Sequence, residues 1–235
     1  MNIALLFEED FISPNQALLS DRRLKHLQEV RNIQQGDQVA IGKANGMIGE
    51  AIVTEITEHT AQLTINWTKQ APDPLPITLI IALPRPKMVK RIIQTVATMG
   101  VKELYFINSY KVEKSFWQSP WLSESKLLEN VVLGLEQAMD TQLPNIHLKK
   151  RFKPFVEDEL PDISKNSLRL VAHPGKHQNC PTQVKQPTTL VIGPEGGFIP
   201  YEIEKLIECG FEPVSLGDRI LRTETAVPVL LSKLF

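Results

Sequence analysis

The stretch LVIGPEGGF, residues 190–198, sets a carboxylate inside a glycine-rich loop at the end of an apolar run. Thr188 to Ile192 reads as a buried strand, which Gly193-Pro194-Glu195-Gly196-Gly197 interrupts. Loops of this kind commonly cradle phosphate on their backbone N–H groups. Neither familiar phosphate pattern is present: there is no G-x-x-x-x-G-K-[ST], and no G-x-G-x-x-G opens a helix. Glu195 would also repel a pyrophosphate. The glycines still permit positive φ and close backbone approach to a ligand. Backbone amides can then read the edge of a base, while a carboxylate suits hydroxyls or a cation. A nucleoside without phosphates and carrying positive charge fits that combination, and S-adenosylmethionine is such a molecule. An ordinary tight turn is the plain alternative.

A second segment, LGDRILRTETAVP (216–228), gathers Asp218, Arg219, Arg222 and Glu224 around Ile220 and Leu221. Thr223 or Thr225 is expected to cap the last helix, with Pro228 in its first turn. Two arginines beside a helix N-terminus make a plausible anion site, for which RNA phosphate is one occupant. A capped helix start with solvated charges accounts for part of the same pattern.

These loops must be held at strand ends. The 235 residues allow one large domain or two small ones, and 42% apolar with 23% charged content is that of a globular protein. The first 70 residues read as mostly β: Gln38–Gly42 and Met47–Thr57 flank an Asn45-Gly46 turn. Gln62–Trp67 alternates, so that Ala61, Leu63, Ile65 and Trp67 share a face. A short helix is expected over Asp21–Val30, capped by Ser20 or Asp21. QAPDPLP, residues 70–76, carries three prolines and marks a domain boundary, with a linker over 71–76. From 77 to 235, apolar strands (Ile77–Leu83, Leu104–Ile107, Leu168–Ala172, Thr188–Ile192, Pro213–Leu216) alternate with helices. The helices are expected over Lys87–Met99, Ser123–Met139, Pro200–Cys209 and Thr225–Phe235. That alternation predicts an α/β fold with a mostly parallel sheet covered on both faces, and ligands in such sheets sit beyond the carboxyl ends of the strands.

The formal net charge of −1 gives no global attraction to nucleic acid, so any RNA contact needs a local patch. DRRLKHLQEVR, residues 21–31, supplies one through Arg22, Arg23, Lys25, His26 and Arg31; a solvated helix face is the alternative. Cys180 and Cys209 have no paired spacing, the N-terminus lacks a signal-peptide pattern, and no apolar run is long enough to span a bilayer, so a cytoplasmic protein is expected. His173-x₃-His177-x₂-Cys180 invites a zinc reading but falls short of four ligands, and no metal is expected. Trp117 and Trp121 are expected to pack under a loop rather than stack on a base.

The combined pattern IGPEGGF…E…LG.RILRTETA resembles the C-terminal signature of the SPOUT, or α/β-knot, methyltransferases. It looks most like the RsmE family of 16S ribosomal RNA uridine N3-methyltransferases, and the likeness extends over nearly the whole chain. Residues 26–42 look like that family's PUA-like barrel, Lys87–Val101 like the first helix of its catalytic domain, and Gly134–Ala138 like its central helix. The resemblance implies a trefoil-knotted domain, a homodimer with a shared RNA site, and S-adenosylmethionine held by three loops. Those loops would contribute Leu170, Ala172 and His173; then Ile192, Gly193, Pro194, Glu195, Gly196 and Gly197; then Leu216, Gly217, Ile220, Leu221, Arg222, Thr223 and Ala226.

Methylation at N3 requires loss of a proton from a neutral uracil, so a cation near the uracil oxygens and a proton acceptor would both help. Arg222 is the candidate cation and Glu224 the group that orients it or relays the proton; holding the loop is the alternative role for both. The chain departs from the family at Pro84-Arg85-Pro86-Lys87, at Met99-Gly100-Val101, at NSYKVEKSFW (108–117), which keeps Lys111 and Lys114 but no arginine, and at Met139, Asp140 and Gln142. Those departures leave three readings open: the rRNA enzyme, a knotted methyltransferase for another RNA, and a non-catalytic RNA-binding or ribosome-assembly protein.

Overall fold

The computed structural model describes residues 1–235 as two compact units. One comprises Met1–Asp73 with Val132–Leu143, the other Pro74–Val131 with Pro144–Phe235. No helix is long and apolar enough to cross a membrane.

The first unit is a curled sheet of β1 (Ala4–Leu6), β2 (Phe11–Ser13), β3 (Gln16–Leu19), β4 (Gln38–Lys43), β5 (Ile48–Ile56) and β6 (Ala61–Lys69), in the order β1-β4-β5-β6-β3-β2. Only β1 and β4 pair in parallel. Ala61, Leu63 and Ile65 are buried, and Trp67 packs against the same core, as the alternation requires. Asn45 adopts the left-handed conformation (φ 56°) that the β4–β5 turn demands. Helix α1 (Arg22–Arg31) starts at Asp21, whose carboxylate accepts the Arg23 N–H at 2.9 Å, and it seats Leu24 and Leu27 in the core.

The segment Val132–Leu143 completes this unit. The Glu136 carbonyl accepts from Asn2 N and Ile3 N at 2.9 and 3.2 Å, and its carboxylate accepts from Arg22 at 2.8 Å. Thr141, fully buried, clasps the β4–β5 turn: its carbonyl accepts Asn45 N at 2.7 Å and its hydroxyl donates to Gly46 O. Thr141 stands between the residues at which the chain departs from the family, Asp140 and Gln142, and the Asp140 carboxylate accepts the Gln142 N–H at 2.9 Å.

The second unit is built on a seven-stranded, all-parallel sheet. Its strands are β7 (Ile77–Ala82), β8 (Glu103–Ile107), β9 (Asn145–Lys149), β10 (Leu168–Ala172), β11 (Gln178–Asn179), β12 (Thr188–Ile192) and β13 (Glu212–Ser215), ordered β11-β13-β10-β12-β7-β8-β9. Every residue of β12 is buried, so both faces of the sheet centre are covered. The helices are α2 (Pro86–Thr98), α3 (Glu124–Ala138, which passes into the first unit at Val132), α4 (Phe152–Pro154), α5 (Leu160–Ile163), α6 (Pro200–Glu208) and α7 (Thr223–Leu234), with a π-helical turn, Phe155–Glu159, between α4 and α5. Proline opens α2 and α6, where its missing N–H costs nothing, and Val89, Ile92, Ile93 and Val96 bury one face of α2.

Two expectations about α7 are corrected. Neither Thr223 nor Thr225 caps it: Arg222 occupies the N-cap with no side-chain bond, and Thr223 lies within the helix. The helix thus begins two residues earlier than expected, which moves Pro228 into the second turn, where the Glu224 carbonyl loses its helical donor.

Candidate active site

The order β13-β10-β12 brings the carboxyl ends of three strands side by side, and the loops that follow them enclose a cleft. The cleft holds about 670 Å³, counting the part open to solvent. From the β10 loop come Ala172, His173 and Pro174; from the β12 loop Ile192, Gly193, Pro194, Glu195, Gly197 and Phe198. Val214, Ser215, Leu216, Gly217, Arg219, Ile220 and Leu221 contribute from β13 onward, and Thr223, Ala226 and Leu230 from α7.

Each wall has a local cause. The His173 N–H donates to Val214 O at 3.0 Å, which ties the first loop to the third. The Gly197 N–H closes on Pro194 O at 2.7 Å with φ at 68°, a conformation that favours glycine. A Cβ on Gly193 would stand 3.1 Å from the ring of Phe198, so the glycine lets that ring back the loop. The Thr223 hydroxyl reaches Gly193 O at 3.5 Å, joining α7 to the glycine loop. The Glu195 carboxylate accepts the Arg85 N–H at 3.2 Å.

The donor set suits a nucleoside carrying positive charge better than a polyphosphate. Apolar side chains form much of the wall, and the charged lining residues are one arginine, Arg219, and one carboxylate, Glu195. His173 Nδ1 is buried without a hydrogen-bond partner, an orphan whose desolvation a ligand hydroxyl or amide would offset. Burial, with His177 and Lys111 nearby, holds the His173 pKa below its ordinary 6.5, so the ring is neutral and offers one donor and one acceptor.

Three of the expected cofactor residues lie elsewhere. Leu170 is buried within β10, paired with Leu190 and Glu212. Gly196 is not among the lining residues; its carbonyl accepts the Lys111 ammonium at 2.5 Å. Arg222 is exposed, and its carbonyl anchors the N–H groups of Thr225 and Ala226. Glu224 lines a separate groove with Arg91, Gln94, Thr95, Thr98 and Met99. In the single chain, then, the two candidate catalytic residues stand outside the cleft.

Sequence reasoning did not pick out Pro174, Phe198, Val214, Ser215 or Leu230. Only Leu230 carried a local signal, its four-residue spacing from Ala226 along α7. A second omission is Glu202, which is buried in the first turn of α6. Its carboxylate accepts from Tyr110 N at 2.7 Å, Ile199 N at 3.0 Å and the Ser109 hydroxyl at 3.2 Å. The segment after β8 is thereby fastened to the helix that follows the glycine loop.

In the first unit, the expected basic patch needs one correction. Arg23 is buried, bonded twice to Asp10 at 2.6 Å, to both Asp21 oxygens and to Leu5 O. Burial opposes its charge, but the two carboxylates outweigh burial and raise its pKa further; it serves the core and is closed to phosphate. Arg22 is half-exposed and paired with Glu136, Lys25 is exposed beside Glu29, His26 is half-buried and Arg31 is exposed.

Comparison with known proteins agrees with the cleft. The RNA methyltransferase domain matches residues 71–235. The chain belongs to the RNA methyltransferase domain family. Within it, the RsmE resemblance is borne out over almost all of the chain. A ribosomal RNA small subunit methyltransferase E from Synechocystis is 29% identical across 95% of this chain and 75% of its own length. One from Treponema pallidum is 27% identical across 96% and 87%. The crystal structure of a ribosomal RNA small subunit methyltransferase E from Neisseria gonorrhoeae bound to S-adenosyl methionine superposes with a TM-score of 0.74 at 21% identity, covering 98% of this chain and 96% of that one. The α/β architecture with its parallel sheet and curled N-terminal sheet is thus that of this RNA methyltransferase family.

Proposed function

We propose that this RNA methyltransferase moves the methyl group of S-adenosylmethionine to N3 of a uridine in 16S ribosomal RNA of the small subunit. The single observation that carries the reading is the three-loop cleft, with its glycine wall, its largely apolar lining and the unpartnered Nδ1 of His173. When bound, the cofactor supplies an electrophilic methyl on a sulfonium. The glycine loop and the Leu216–Ala226 segment hold the nucleoside, and His173 offers its free nitrogen to it. The uracil N3 lone pair forms the new bond to carbon while the carbon–sulfur pair withdraws to sulfur, and the N3 proton passes to water or a base. Arg222, at the rim between Leu221 and Thr223, steadies negative charge on the uracil oxygens. Glu224 orients that cation or relays the proton.

The wider setting belongs to the same proposal. Residues 77–235, apart from the segment 132–143 that completes the first unit, act as a knotted catalytic domain after a linker at 71–76, and residues 1–70 as a PUA-like RNA-binding domain using Arg22, Lys25, His26 and Arg31. The enzyme works in the cytoplasm as a homodimer on small ribosomal subunits. The test incubates small subunits from cells lacking this protein with the protein and methyl-labelled S-adenosylmethionine, then identifies the labelled nucleoside by mass spectrometry. N3-methyluridine is expected; absence of label despite cofactor binding would refute the substrate.

A further inference from the structure

Among the large apolar and aromatic side chains, Tyr110 and Ile220 are the most exposed, at 78% each, and Ile220 lines the cleft. Tyr110 lies on the segment after β8, and its backbone is fixed from both sides. Its N–H donates to the buried carboxylate of Glu202 at 2.7 Å, and Ser109, itself buried, donates to the second carboxylate oxygen. The next residue, Lys111, donates to Gly196 O in the glycine loop at 2.5 Å. Val112, also buried, closes the turn onto Ser109 O at 3.0 Å. The ring itself takes part in none of the ring–ring or cation–ring contacts of the fold.

A held backbone that presents a bare aromatic ring beside Lys111, whose ammonium reaches the glycine loop and stands near His173 of the cleft wall, with Lys114 further along the same segment, is the arrangement by which single-stranded nucleic acid is held. Bases stack on an aromatic face while ammonium groups meet the phosphates. Resting on the RNA methyltransferase reading above, we propose that Tyr110 is the stacking platform for a base of the substrate RNA at the mouth of the cleft. Glu202 acts as its positioning residue. The backbone that carries the ring is already hydrogen-bonded before RNA arrives, so little backbone entropy remains to be lost on binding.

The test uses the full-length protein and undermethylated small ribosomal subunits. Methyl transfer by wild type is established first, and its absence would overturn the underlying function and this proposal together. With transfer established, Tyr110→Ala is expected to raise KM for subunits roughly 5- to 100-fold, the range for loss of one stacked base. Its cofactor affinity, thermal midpoint and salt slope of RNA binding should match wild type, because no charge is removed. Tyr110→Phe and Tyr110→Trp should restore KM, since the face of the ring does the work. An unchanged KM in Tyr110→Ala would overturn the proposal, as would a Tyr110→Phe variant as weak as alanine. A change in solution mass with unchanged RNA affinity would instead place the ring at a contact between copies, which also overturns it.

Discussion

Glu202 offers the sharpest quantitative test of how the cleft is built. Its two carboxylate oxygens serve three donors, the N–H groups of Tyr110 and Ile199 and the Ser109 hydroxyl. Glu202→Gln keeps the shape but makes one end of the side chain a donor. Whichever way the amide turns, it faces a backbone N–H: Tyr110 if it replaces Oε1, Ile199 if it replaces Oε2. The serine hydroxyl can rotate to accept, but the backbone group cannot. A buried donor left unsatisfied costs about 1–3 kcal/mol, and losing a negative charge in the first turn of α6 adds about 0.3–1 kcal/mol. The expected loss is therefore about 1–4 kcal/mol. For a unit of roughly 150 residues this lowers the midpoint by roughly 3–15 °C. Urea and thermal unfolding of the variant, followed by tryptophan fluorescence and circular dichroism, measure it. Ser109→Ala should cost about 1 kcal/mol in wild type and less in the Gln background, because the pair shares one network. A Glu202→Gln protein within about 0.5 kcal/mol of wild type would show that this carboxylate does not hold the segment.

The remaining expectations concern other parts of the molecule. Arg23→Ala strands the buried Asp10 carboxylate and should cost about 3–5 kcal/mol, whereas Lys25→Ala should leave stability unchanged and reduce the salt slope of RNA binding by about one unit. Equal effects of the two variants on salt slope would contradict that division. The His173 pKa is depressed by burial, so below about pH 6.5 the unfolded chain takes up a proton more readily than the folded one. Stability from this group is complete above that pH and falls as pH drops, so wild type should lose ground to His173→Phe between pH 7 and 5; a constant difference would refute it. Arg222→Ala should lower methyl transfer by about 10²-fold or more with cofactor affinity retained, and transfer at the wild-type rate would remove Arg222 from the chemistry.

Much of this was legible in the sequence because period and punctuation report local physics directly. The unbroken run Thr188–Ile192 became a central strand, the Asn45-Gly46 pair became a turn, and the two glycine- and arginine-bearing loops met at one cleft. What escaped notice depends on partners remote in sequence. β1, β2 and β3 have only three or four residues each, too few for a period to emerge. β9 is a half-exposed edge strand that pairs only with β8, so NIHLK lacks a strong apolar face. Arg23 looked like part of a surface run, although its four-residue spacing from buried Leu27 already placed it on the inner side of α1. Glu202 and Tyr110 are 92 positions apart, and nothing near either residue announces the other.

The clasp of Thr141 and Glu136 on the first unit bears on the order in which the chain acquires structure. Synthesis delivers residues 1–73 long before 132–143, yet the carbonyl and hydroxyl that satisfy Asn45 and Gly46, and the acceptor for the N–H groups of Asn2 and Ile3, arrive only with the later segment. Domains usually mature from the N-terminus as they emerge. This one must wait, with its turn and leading strand incompletely satisfied, until more than half of the polypeptide has left the ribosome. An N-terminal fragment ending at residue 73 would consequently omit a piece of its own architecture, and a nascent chain halted before residue 143 would expose an unfinished sheet to chaperones and proteases.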